Sequence, residues 1–150
     1  MRLYLDIDGT LIHEELGERW GQPAAGLADL IRATSAFPVS WLTTHCMDGD
    51  PTRARELVQP HLPEELHPLV ERIEPTRWST FKTEALDPTE PFIWFDNDVS
   101  DVEWDILSGL PEDRRAIEVD LVKHPVQLIE LTRTLHELSD TDPAYARVSL

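Results

Sequence analysis

Apolar residues gather in short runs, separated by polar, charged or Pro-rich stretches. The run RLYLDI at 2–7 is Pro-free and mostly apolar, which predicts a short buried strand. Residues 23–34 start on Pro23 and place Leu27, Leu30 and Ile31 on one face, which predicts a helix. Residues 37–43 predict a second strand. Asp50-Pro51 predicts a helix start, with Asp50 as N-cap and Pro51 in the first turn. Between 60 and 91, Pro60, Pro63, Pro68, Pro75, Pro88 and Pro91 allow only short pieces. Residues 92–95 predict a third strand. Ser100 and Glu103 form a capping-box pattern that opens a helix to about Leu107. Residues 116–119 predict a fourth strand. A final amphipathic helix at 125–138 carries Leu128, Leu131, Leu135 and Leu138 on one stripe.

Strands alternating with helices predict an α/β fold, a parallel sheet with helices on both faces. One domain over 1–138 is expected, followed by a polar, poorly patterned and mobile tail at 139–150. In such sheets ligands bind beyond the carboxyl ends of the strands. Asp6 and Asp8, Thr43 and Thr44, and Asp96, Asn97 and Asp98 all stand at those ends.

Composition narrows the classes. The net charge of -16 argues against binding to long nucleic acids, which are polyanions. Residues 51–82 are locally neutral, either as solvated surface pairs or as a rim that tolerates an anionic ligand. No apolar run reaches the roughly 18 residues of a membrane span, and charges from Asp6 onward do not fit a signal peptide. A cytoplasmic protein without membrane partners is the expectation. Cys46 is the only cysteine, so an internal disulfide and a thiolate zinc cage are both excluded.

The string Asp6-Ile7-Asp8-Gly9-Thr10 admits a bland explanation, an Asx-type turn with Gly9 at the bend. An EF-hand loop starting at Asp6 fails, because Gly17 occupies the position of the bidentate acid. Parallel strands would instead bring Asp6, Asp8 and Asp96 together. Carboxylates about 4 Å apart repel by about 4 kcal/mol at an effective dielectric near 20. Such a cluster must take up protons or hold a cation. An all-oxygen site with open positions suits Mg²⁺, which keeps waters and accepts phosphate oxygens. A hard cation beside a carboxylate nucleophile is equipment for phosphoryl transfer.

These residues carry a resemblance to the haloacid dehalogenase (HAD) superfamily of aspartyl-phosphate phosphohydrolases. Asp6-Ile7-Asp8-Gly9-Thr10-Leu11 resembles its first motif in full. Thr43, ending PVSWLTT, is similar to the second motif, with Thr44 as the alternative hydroxyl. Lys82 resembles the third. It is one of two lysines, with Lys123, against eleven arginines, and Arg77 is the substitute candidate. Asp96, ending PFIWFD, resembles the fourth motif, which departs from the family pattern. Phe95 replaces a Gly, Asn97 stands where a second acid is expected, and Asp101 follows five residues on. Asp98 and Asp101 are either supports for the metal or charges at a helix start.

The resemblance implies a three-layer Rossmann-like domain, HAD-like and without a sizeable cap. It implies a Mg²⁺ ion held by Asp6, Asp96 and the backbone carbonyl of Asp8. Asp6 is the implied nucleophile and Asp8 the acid/base. Thr43 and Lys82 would hold phosphoryl oxygens, and Gly9, Thr10, Thr44 and Asn97 would contact substrate. His13 and Glu14 sit where the family carries substrate-facing loop residues, or form a solvated turn. His45 is either a pH-sensitive substrate contact or a partly exposed structural histidine. An open site goes with a macromolecular substrate or closure by another subunit. The phosphorylated partner is a small molecule, a nucleotide end or a protein. A receiver-like phosphorelay module is disfavoured by chain order: there the phosphorylated Asp precedes the Thr and Lys, whereas here the order is Asp6/Asp8, Thr43, Lys82, Asp96. A catalytically silent HAD scaffold that binds a phosphorylated partner remains the alternative.

Overall fold

The computed structural model describes residues 1–141 of the chain. Four strands, β1 (Arg2–Leu5), β2 (Val39–Trp41), β3 (Phe92–Asp96) and β4 (Arg114–Glu118), form one sheet in the order β2-β1-β3-β4. Every pairing is parallel, with Leu5 opposite both Trp41 and Phe95. The helices are α1 (Leu27–Ala33), α2 (Thr52–Val58), α3 (His67–Glu71), α4 (Asp101–Ser108) and α5 (Gln127–Thr141). This is the α/β, Rossmann-like arrangement that strand-helix alternation predicts.

Alternation along the strands divides the core. Leu3, Leu5, Val39, Trp41, Ile93 and Phe95 join residues of α1, α2, α3 and α5 in the larger cluster. Tyr4, Phe92 and Trp94 join Leu107 of α4 in a smaller one. The strands therefore bury side chains of both parities, which explains why they read as apolar runs rather than alternating ones.

Several elements differ from the sequence pattern. The predicted helix at 23–34 starts only at Leu27, because Gly26 adopts a left-handed backbone. A Cβ at Gly26 would lie 2.8 Å from Ile129, so α5 crosses there at a distance only glycine permits. The first strand ends at Leu5, although the Asp6 N–H still donates to the Phe95 carbonyl (3.0 Å). The last helix continues to Thr141, so 139–141 belong to it; residues 142–150 of the predicted tail lie outside the described residues. Pro51 rather than Asp50 stands at the N-cap of α2, without a side-chain cap; the Asp50 carboxylate, one residue earlier, accepts from the N–H (2.9 Å) and hydroxyl of Thr52. Pro-broken residues 60–91 hold only α3 and short 3-10 turns, as expected.

A loop joins β1 to α1. Between β2 and β3, Val58, Leu62, Leu66 and Val70 insert into the larger core cluster. Among the described residues, no helix is long and apolar enough to cross a membrane.

Candidate active site

The chain leaves β1 through a tight turn. The Ile7 carbonyl accepts the N–H groups of Thr10 (3.1 Å), Leu11 (2.9 Å) and Ile12 (3.2 Å). Gly9 sits at φ 73°, and a Cβ there would collide with the Asn97 side chain and the Glu14 carboxylate. A glycine is therefore required twice over, by backbone and by space. The turn leaves Asp6 buried at the sheet's carboxyl edge and Asp8 half exposed beside it.

Parallel pairing of β1 with β3 brings Asp6 next to Asp96, and Lys82 joins them. Its ammonium donates to Asp6 Oδ1 (3.0 Å) and to Asp96 Oδ2 (2.6 Å). The remaining contacts fix both carboxylates. Thr10 Oγ1 donates to Asp6 Oδ2 (2.9 Å). Trp94 Nε1 donates to Asp96 Oδ2 (3.1 Å), and the Asp98 N–H to Asp96 Oδ1 (2.9 Å).

Burial raises the pKa of Asp6 to about 7. The Asp96 charge adds to this, while Lys82 and the Thr10 hydroxyl oppose it. Burial also raises Asp96, against the opposing pull of Lys82. For Lys82 burial disfavours the charge, but the two carboxylates outweigh it and its pKa rises. One ammonium thus stands between two buried acids, and the trio carries more negative than positive charge when both acids ionise.

Lys82 is delivered by a pinned turn. The Glu84 carboxylate accepts the N–H groups of Ser79 (3.1 Å), Thr80 (3.0 Å) and Phe81 (3.1 Å). On the other side, Glu103 Oε2 accepts the Thr83 N–H (3.3 Å). Ser100 caps α4 as its sequence predicts, accepting the Glu103 N–H (3.3 Å). The Glu103 carboxylate accepts the Ser100 hydroxyl and, with its second oxygen, holds the lysine turn.

A cavity of about 310 Å³ opens above these groups, with Asp6, Asp8, Thr44, Lys82, Asp96 and Asn97 in its wall. A second, of about 440 Å³, adjoins it and shares Glu14 and Asn97. Asn97 Nδ2 donates to Glu14 Oε1 (2.9 Å) at that junction.

The expected site residues divide into groups. Asp6, Lys82 and Asp96 come together, and Asp8 lines the same cavity. Thr44 and Asn97 reach the cavity. Thr43 is fully buried, and its hydroxyl accepts the His45 N–H (3.3 Å). Thr10 is fully buried and serves Asp6 rather than open space. Asp98 lines the cavity, whereas Asp101 is exposed in the first turn of α4. Arg77 lies against Gly49, away from the acids. His13 is buried and pairs with Glu15 (3.0 Å). The Asp8 carboxylate does not join the acidic pair; its Oδ2 lies 2.6 Å from His45 Nε2. That contact, the Trp94 bond and the two pinning glutamates have no signature in the sequence beyond the capping box.

The donors at the cavity floor are hard oxygens. Among the described residues no group of three or more His, Cys, Asp or Glu side chains is arranged to hold a metal ion. Asp6 and Asp96 offer two hard carboxylates, a donor type that suits Mg²⁺, and both are bonded to the Lys82 ammonium here. Comparison with family models, curated proteins and solved structures returned no match.

Proposed function

We propose that the chain is a Mg²⁺-dependent phosphohydrolase that cleaves a phosphate monoester through an aspartyl phosphate on Asp6. The observation that carries this is the Lys82 ammonium bonded to both Asp6 and Asp96 at the floor of a cavity that Asp8 also lines. The two core clusters, fed by alternate residues of the same strands, are compatible with a three-layer, HAD-like domain without a cap.

Asp6, Asp96 and the Asp8 carbonyl would hold Mg²⁺, which when bound would supply positive charge to a phosphoryl oxygen. An Asp6 carboxylate oxygen attacks phosphorus in line. The bond from phosphorus to the alcohol oxygen breaks, and the proton of the Asp8 carboxyl passes to that oxygen. Asp8, now ionised, takes a proton from the water that attacks the same phosphorus, releasing inorganic phosphate and free Asp6. The Lys82 ammonium and the Thr44 hydroxyl hold equatorial oxygens, where the negative charge is spread. The substrate class is a phosphorylated small molecule, a nucleotide end or a protein, handled in the cytoplasm; an oligomer would be one way to close the open site.

A panel of phosphate monoesters with and without Mg²⁺ tests this. Wild type is expected to release phosphate from p-nitrophenyl phosphate only with the ion. Asp6→Asn is expected to lose on the order of a thousandfold or more in turnover while keeping its fold. Absence of hydrolysis across the panel, with no stabilisation by Mg²⁺, would leave the silent scaffold as the better account.

A further inference from the structure

We propose that His45 is a positioning residue that holds the Asp8 carboxylate in place for proton transfer. This rests on the phosphohydrolase function above. Asp8 lies within the turn just before Gly9, and its side chain is 45% exposed, so burial alone does not fix its rotamer. The only side-chain partner within hydrogen-bond distance of it among the described residues is His45, with Nε2 2.6 Å from Oδ2. That bond occupies one carboxylate oxygen and leaves Oδ1 for the proton that must reach the leaving group.

His45 is itself held firmly. It sits in the turn Thr44–Cys46, just past the carboxyl end of β2, next to the strand that leads into Asp6 and Asp8. The Thr43 hydroxyl accepts the His45 N–H, and the Thr43 carbonyl accepts the Cys46 N–H (3.2 Å). Cys46 is fully buried in the larger core cluster and anchors the turn from below. A continuous path therefore runs from the core through Thr43 and His45 to Asp8. It gives the buried Thr43 a task that needs no contact with substrate. General acids gain rate only when the proton donor is aimed at the departing oxygen, and misplacement by about 1 Å is costly.

Two substrates separate a positioning role from a merely structural one. Phenolate is a poor leaving group that needs the acid; p-nitrophenolate needs it far less. With Mg²⁺, His45→Ala is expected to lower kcat/KM about tenfold on p-nitrophenyl phosphate and about a hundredfold on phenyl phosphate. His45→Gln, which can still donate from an amide, is expected to recover part of the phenyl phosphate rate. Adding His45→Ala to Asp8→Asn is expected to cost nothing further, since both act on one step. Equal losses on the two esters, or full additivity with Asp8→Asn, would overturn the proposal and leave the phosphohydrolase function standing. A rise in KM alone would make His45 a substrate contact and overturn it as well. If wild type hydrolyses neither ester with Mg²⁺, the underlying function falls, and the role of His45 with it. Should His45→Ala fail to fold, His45→Gln compared across the two esters decides the matter.

Discussion

Asp6 is pulled in opposite directions by its surroundings. Burial and the neighbouring Asp96 favour its protonated form, whereas Lys82 and Thr10 favour the carboxylate; the first pair wins, and the pKa rises from 3.8 to about 7. In the unfolded chain the same group ionises near its ordinary value. Between about pH 4 and about pH 7 the folded chain therefore binds more protons than the unfolded one, and stability falls as pH rises through that window. The contribution is fully present below the window and gone above it. Urea unfolding without divalent ions is expected to show wild type losing stability relative to Asp6→Asn from pH 4 to 7, with a constant difference beyond. A parallel pH course for the two proteins would contradict this. Much of this residue chemistry was legible beforehand. Asp6, Asp8 and Asp96 announced themselves by standing at strand ends, and Lys82 by the scarcity of lysine. The Asp8–His45 bond was not legible, because it depends on how two turns on adjacent strands face each other. Thr43 and Thr44 could not be told apart for the same reason: the turn buries Thr43 and leaves Thr44 exposed in the cavity wall.

At the scale of elements, the segment carrying Lys82 is the informative one. It is a 3-10 turn, Lys82–Ala85, with no fully buried residue, and only Ala85 packs against the smaller core cluster. Three main-chain bonds to Glu84 and one to Glu103 do most of the holding. Glu84→Ala is expected to weaken inhibition by inorganic phosphate about tenfold. The thermal midpoint is expected to move little, since Glu84 is exposed. Competition assays against p-nitrophenyl phosphate, with calorimetry alongside, check both halves. Element boundaries followed local chemistry where that chemistry was complete. Ser100 starts α4, and the prolines keep 60–91 in pieces. They departed where a distant contact intervened. The start of α1 depends on Gly26 meeting Ile129, more than a hundred residues away in the chain.

For the whole molecule, charge is the dominant global property. At -16 the chain repels itself. In the locally neutral stretch, Arg53 pairs with Glu56, Arg55 donates to the Glu71 carbonyl, and Arg72 donates to the carbonyls of Thr34 and Phe37. Three of the stretch's five cations thus bond to the chain itself, while Lys82 lines the cavity. Screening should relieve the remaining repulsion. Raising NaCl from 10 mM to 0.5 M is expected to raise Tm by about 3 °C, whereas an unchanged or lowered midpoint would mean that the acids are already well dispersed.

Cys46 lies under the turn that presents His45, and it is the chain's sole thiol. Thiol-labelling kinetics on the unmodified protein thus report a single location, with no background to subtract. The same sulfur that pins this turn from below is a built-in clock for how often it opens.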